Sequence, residues 1–138
     1  MMNDKEFLNA VKDTRKARDY FLDQITFSIG PDRLLKMEKN CLENFNLFDV
    51  RDYDDYIKGH IPYATHIPFK QIEEQLEKFS KDKVNIIYCY SILCQRAKKT
   101  AYMLAEKGYP VIELVGGFKG WKKRDFEIVE DDVSDYPG

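Results

Sequence analysis

The sequence predicts an α/β fold: a parallel sheet flanked by helices on both faces, with an extra N-terminal helix. Three observations carry this expectation. Short β-prone apolar runs alternate with helical patterns through the middle of the chain. The most β-prone run, Val84-Asn85-Ile86-Ile87-Tyr88, precedes Ala97, Ala101, Leu104 and Ala105, which repeat at the period of a buried helix face. The length, 138 residues, suits one ordinary domain and is too short for two.

Taken in order, residues 4–22 read as a helix with an apolar stripe of Phe7, Leu8, Val11, Ala17 and Leu22, capped by Asn3 or Asp4. Its other face is mixed charge. The bland expectation is a solvated helix docked on the domain; a homodimer contact through this helix is the alternative. Ile25 to Ile29 alternates as a short strand and is broken by Gly30-Pro31-Asp32. Pro31 suits the first turn of a helix running to about Asn40. Phe45 to Val50 reads as a buried strand, and Asp52 to Lys58 as a short helix that stops at Gly59. Ala64 to Ile67 is a second short strand. Phe69 to Phe79 is expected to be a helix with Ile72, Leu76 and Phe79 on one side. After the strand at Val84–Tyr88, a helix is expected from about Cys94 to Lys107, ended by Gly108. Val111 to Val115 reads as another buried strand, and Gly116-Gly117 as a turn into a short helix carrying Trp121. From Glu127 onward there are five acids and no base, a tail expected to be partly ordered at best. The expected units are 1–24 (helical extension), 25–128 (the domain) and 129–138 (acidic tail).

Composition excludes several classes. Hydrophobic residues make up 43% and charged residues 33%, with both signs interleaved, so the chain can build a packed core. The net charge of −2, from 22 basic and 24 acidic residues, argues against a dedicated nucleic-acid binder. No apolar run approaches the roughly 20 residues of a spanning helix, so no membrane partner is expected. The first residues carry no apolar signal region. Three cysteines, Cys41, Cys89 and Cys94, form neither a disulfide framework nor a C-x-x-C metal knuckle, and no metal site is expected. A reducing, cytoplasmic setting with at least one chemically used thiol is the corresponding expectation. Cys41 reads as structural.

In parallel sheets the ligand site lies beyond the carboxyl ends of the strands. Cys89 sits at that end of the strongest strand. Backbone N–H groups of the turn and of the following helix start can hold an anion there and favour thiolate, lowering a cysteine from its usual pKa of about 8.5. Arg96, Lys98 and Lys99 add positive potential. A thiolate beside an anion cradle can attack a sulfane sulfur or a phosphorus atom.

Five fragments, in order, carry a family resemblance. They are Leu47-Phe48-Asp49-Val50-Arg51 with Asp55-Tyr56; Gly59-His60-Ile61-Pro62-Tyr63-Ala64; Tyr88-Cys89-Tyr90-Ser91; Gly108-Tyr109-Pro110-Val111; and Gly116-Gly117-Phe118-Lys119-Gly120-Trp121. Together they resemble the rhodanese-like family over roughly residues 25–128. The resemblance implies a single-domain rhodanese-type sulfurtransferase. Cys89 would attack the outer sulfur of thiosulfate or a similar small donor, and the resulting cysteine persulfide would pass its sulfur to a thiol or other thiophilic acceptor. The resemblance requires no metal and no organic cofactor.

Tyr90, Ser91, Ile92, Leu93, Gln95 and Arg96 are then the expected anion-binding loop. Two departures stand out. Compact loops of the family read C-x-x-G-x-R, whereas this one lacks glycine and places its first basic residue, Arg96, seven positions after Cys89. Tyr63 replaces the glycine that usually follows His-Ile-Pro, which bears on how the loop packs. Cys94 is a candidate second thiol that could resolve a persulfide, act as the nucleophile itself, or simply face the core. Asp49 and Arg51 are expected to form an ion pair bracing the strand ends, and His60 to satisfy turn structure, rather than to do chemistry. A related cysteine phosphatase or arsenate reductase would want His before the cysteine and Arg six positions after it; here those positions are Tyr88 and Gln95. A non-catalytic binding or regulatory module is the remaining alternative.

Overall fold

The structure, a computed structural model, describes residues 1–131. Its centre is a five-stranded, fully parallel sheet of order β1-β5-β4-β2-β3. The strands are β1 (Ser28–Ile29), β2 (Phe45–Asp49), β3 (Thr65–His66), β4 (Val84–Tyr88) and β5 (Val111–Leu114). The helices are α1 (Asp4–Ala10), α2 (Thr14–Thr26), α3 (Pro31–Cys41), α4 (Tyr53–Lys58), α5 (Arg96–Glu106) and α6 (Gly117–Lys123).

Side chains of a strand alternate between faces, and here each face has its own core. Leu47, Ile86 and Tyr88 point to one side, where Leu34, Ile61 and Trp121 pack on them. Phe48, Ile87 and Cys89 point to the other, against Ile72, Phe79, Ala97 and Leu104. β4 lies between β2 and β5, so its near-continuous apolar run is covered on both faces, as a central parallel strand requires. The register pairs Asp49 with Tyr88. That places the carboxyl ends of β2 and β4 side by side, and the chain leaves them as Val50-Arg51 and Cys89-Tyr90.

Several expected elements differ. The N-terminal helix is two helices. The Asp13 side chain accepts from the Lys16 N–H and starts α2 afresh. Neither helix has a buried residue, so the stripe is not docked: Phe7, Leu8, Val11 and Leu22 are all more than half exposed. Ile25 and Thr26 belong to the last turn of α2, which closes where the Phe27 N–H donates to the Asp23 carbonyl, rather than to a strand; only Ser28 and Ile29 pair with β5. The expected helix at 69–79 is a pair of 3-10 segments, Phe69–Gln71 and Glu73–Lys78, with Gln75 off the helical region at φ −126°. Ile72 and Phe79 are nevertheless buried, so the apolar anchors were legible and the helix type was not. The helix expected from Cys94 begins at Arg96, which leaves Cys94 in the loop.

The start of the acidic tail is pinned. Val129 and His60 exchange backbone hydrogen bonds of 2.9 Å each way, and the Asp131 N–H donates to the Ile57 carbonyl. Residues 132–138 lie outside the described residues. Among the described residues, no helix is long and apolar enough to cross a membrane.

Candidate active site

The site grows from the ends of β2 and β4. Asp49 and Arg51 are almost completely buried and form a fork. Arg51 Nη2 donates to Asp49 Oδ2 at 2.8 Å, and Nε lies 3.1 Å from both carboxylate oxygens. The same Nη2 donates to the Gly59 carbonyl at 2.6 Å, tying the end of α4 to the sheet. The guanidinium lies over the Phe118 ring, 4.1 Å from its centroid. The pair thus links the end of β2 to the end of α4.

Cys89 follows β4 and is buried on the α5 face. Its loop runs to Gln95, and three anchors fix it. First, the Phe118 and Lys119 N–H groups donate to the carbonyls of Cys89 and Tyr90 at 2.8 and 2.9 Å. Second, the Tyr90 hydroxyl donates to Asp55 Oδ2 at 2.7 Å and accepts from the Asp52 N–H at 3.1 Å. Third, the Tyr90 ring lies near the guanidiniums of Arg51 and Arg96, at 5.8 and 5.6 Å. Burial and the bond to Asp55 push the Tyr90 phenol up to about 12, so it stays a neutral donor.

Gly117 makes the first anchor possible. Its φ is +59°, and a Cβ there would stand 2.6 Å from the Cys89 carbonyl oxygen and 3.0 Å from the Ser91 nitrogen. Asp52, Asp55, Gly117 and Phe118 are contributors that were not assigned to the site from sequence. Their signal was present in the Asp55-Tyr56 and Gly116-Gly117-Phe118 fragments, but no fragment states what it touches.

The remaining expected residues divide. Ser91 accepts from the Leu93 N–H through its Oγ and helps turn the loop. Ile92 and Leu93 form its exposed tip, and Gln95 starts α5. Arg96 Nη1 donates to Asp52 Oδ1 at 3.0 Å, so its charge is shared with a carboxylate. Lys98 pairs with Glu113 on β5. His60 is held through Ile61, Val129 and a stack on Tyr56 at 3.9 Å. Its Nε2 lies 3.2 Å from Asp131 Oδ2, off the line of a hydrogen bond. These contacts tie His60 to α4 and to the start of the C-terminal segment. Tyr63 packs on Phe45, at the end of β2 remote from Cys89, and so does not reach the loop.

The two thiols belong to one loop. The Cys89 thiol donates to the Cys94 carbonyl oxygen at 3.6 Å, and Cys94 packs against the apolar cluster that holds Cys89. Burial, with that contact, pushes Cys89 up to about 12, although the Ala97 and Tyr90 N–H groups pull the other way. Burial also opposes ionisation of Cys94. The Cys89 contact, the Arg96 and Tyr90 N–H groups and the Arg96 charge outweigh it, so Cys94 falls below the ordinary thiol range. This corrects the expectation that the nest lowers Cys89 itself. The Cys89 S–H donates to the Cys94 carbonyl oxygen, and the two thiols titrate as a unit, Cys94 the more readily ionised.

A pH consequence follows. As pH rises from acid, iodoacetamide should label Cys94 first, with a midpoint below that of a free thiol, and Cys89 only at strongly alkaline pH. Peptide mapping of the alkylated chain checks the order; Cys89 labelling first would reverse it.

The arrangement places a buried thiol and a second, half-buried thiol in one loop, with backbone N–H groups favouring the ionised form of each. A rhodanese-like domain model matches residues 31–124. The chain is 39% identical over 75 residues to a thiosulfate sulfurtransferase, GlpE, of Coxiella burnetii, covering 54% of this chain and 68% of that protein. Among solved structures, the BH2092 protein of Bacillus halodurans superimposes with a TM-score of 0.77 at 32% identity, covering 86% of this chain and 87% of that one. A rhodanese-like domain protein of Staphylococcus aureus gives a TM-score of 0.67 at 27% identity, covering 76% and 98%.

Proposed function

The chain belongs to the rhodanese-like domain family, and from that premise we propose that it is a sulfurtransferase working through a persulfide on Cys89. The observation that carries the reading is the placement of Cys89. It stands at the carboxyl end of the central strand β4, at the root of a loop whose N–H groups reach its sulfur. The GlpE relative's name makes thiosulfate the first donor to test.

The chemistry runs as a double displacement. Cys94, the more readily ionised thiol, takes the Cys89 proton when it is in its thiolate form, and the Cys89 sulfur attacks the outer sulfur of thiosulfate. The sulfur–sulfur bond of the donor breaks, and sulfite leaves with the electron pair. The product is the Cys89 persulfide anion, held by the Tyr90 and Ala97 N–H groups. An acceptor then removes the outer sulfur and returns Cys89 as a thiolate. Because the first product leaves before the acceptor reacts, steady-state rates with thiosulfate and cyanide should give parallel double-reciprocal lines. Intersecting lines would exclude the covalent intermediate.

Loop seating supports the rate. Gly117→Ala adds a Cβ 2.6 Å from the Cys89 carbonyl and must displace it. A displacement of that size should cost turnover about 10²-fold. Gly116 has a similar positive φ of +86°, yet a Cβ there meets only Gly120 Cα at 3.5 Å. Gly116→Ala should therefore lower stability by about 1–2 kcal/mol and leave turnover nearly intact. Equal turnover losses in the two variants would show that backbone strain, not loop displacement, is responsible.

A further inference from the structure

We propose that Cys94 gives this loop a second reaction: it discharges the Cys89 persulfide as hydrogen sulfide and closes a Cys89–Cys94 disulfide. The inference rests on the sulfurtransferase reading of Cys89 and adds an activity to it, the reduction of a sulfane sulfur at the expense of a dithiol.

Three observations point to it. Inside one loop the Cys89 thiol donates to the Cys94 carbonyl oxygen at 3.6 Å, and Cys94 packs against the cluster that holds Cys89. The two thiols are unequally placed: Cys89 is buried at the loop's root, while Cys94 is only half-buried. The segment between them has an exposed tip, Ile92 and Leu93, turned by the Leu93 and Cys94 N–H groups donating to the Ser91 Oγ and carbonyl, and it contains no proline. The long-range anchors described above hold the Cys89-Tyr90 end, whereas Cys94 is tied locally to Ser91.

The balance closes without an outside oxidant. After sulfur transfer, Cys94 carries the proton taken from Cys89, and Cys89 bears the persulfide anion. Cys94 sulfur attacks the inner sulfur, that is, Cys89 Sγ. The bond between Cys89 Sγ and the outer sulfur breaks, and the outer sulfur leaves with the electron pair and the Cys94 proton as hydrosulfide. The sulfane sulfur is reduced and the two cysteines are oxidised to the disulfide. Attack at the outer sulfur would only move the persulfide to Cys94 and would have to expel the Cys89 thiolate. Burial makes that thiolate a poor leaving group, so the inner-sulfur route is favoured. A dithiol, small or protein-borne, then reduces the disulfide and resets both thiols. The sum is one thiosulfate and one dithiol giving sulfite, hydrogen sulfide and the oxidised dithiol.

The test mixes reduced full-length protein, freed of reductant and kept anaerobic, with excess thiosulfate and no acceptor. Sulfite, sulfide and intact mass are read together. Wild type should release one sulfide per chain with its sulfite and lose two hydrogen atoms in mass. Dithiothreitol should restore the mass and restart release. Cys94→Ser should load more slowly, because the proton acceptor is gone. It should then keep one added sulfur and release no sulfide. Cys94→Ala is the second variant in case the serine is not tolerated, and it should behave alike. Sulfite release with a stable added sulfur on Cys89 and no sulfide in wild type would overturn this inference and leave the sulfurtransferase reading standing. An added sulfur mapped to Cys94 would overturn it in favour of a relay. No sulfite from any form would bring down both.

Discussion

Arg51→Ala is expected to destabilise the chain by about 3–5 kcal/mol, a drop in Tm of roughly 10 °C or more for a domain of this length. The size of the effect comes from what is left behind. Asp49 is fully buried, and its carboxylate is neutralised by the Arg51 fork. Truncation leaves it with the Arg51 backbone N–H at 2.9 Å and the neighbouring Tyr88 side chain. The Gly59 carbonyl loses its donor and the Phe118 ring loses the cation above it. Phe118 also supplies an N–H to the Cys89 carbonyl, so turnover should fall along with stability. The double variant Asp49→Leu/Arg51→Met removes both charges and should cost clearly less than the single one. Thermal unfolding of the three proteins checks this. A Tm for Arg51→Ala within about 2 °C of wild type would mean the pair does not brace the strand ends.

The legible and illegible parts of this fold separate for physical reasons. β2, β4, β5, α3 and α5 were all readable, because each buries an apolar face whose spacing shows in the chain: Leu47 and Phe48 on the two faces of β2, Ile86 and Ile87 on those of β4, Ala97 and Leu104 on α5. The segment at 69–79 was misread because three anchors, Ile72, Leu76 and Phe79, fit a helix as well as the two 3-10 segments that hold them. The N-terminal region was misread because an apolar stripe does not say whether anything covers it. Phe7, Leu8 and Leu22 face solvent. At the site, Cys89 and the Asp49–Arg51 pair could be placed from strand ends alone. The Tyr90–Asp55 bond, which joins residues 35 positions apart, could not. Nor could the way Gly117 makes room for the Cys89 carbonyl. The charge on the thiols was misplaced for a related reason. Loop dipoles are visible in a sequence pattern, but the contact with Cys94 and the depth of burial are properties of packing.

Cys89→Ser carries the other large expected effect. Serine is close to cysteine in volume, and the site is a small buried one, so the fold should survive with little change in Tm. A hydroxyl in that position has no accessible anion at neutral pH and forms no persulfide. Turnover should fall by at least about 10³-fold, the scale seen when a covalent nucleophile is removed. Cys94, though the more easily ionised thiol, should not replace it. Cys94 lies in the loop rather than at the strand end, and the Ala97 N–H that would hold a persulfide on Cys89 reaches the Cys89 sulfur.

The most direct test of this assignment counts the sulfite released when reduced protein meets thiosulfate with no acceptor present. Sulfite leaves in the step that forms the persulfide, so the count does not depend on what later becomes of the sulfur. Wild type should release a burst of one sulfite per chain and Cys89→Ser none. The same burst from Cys89→Ser, or no burst from folded wild type, would contradict a Cys89 persulfide formed from thiosulfate.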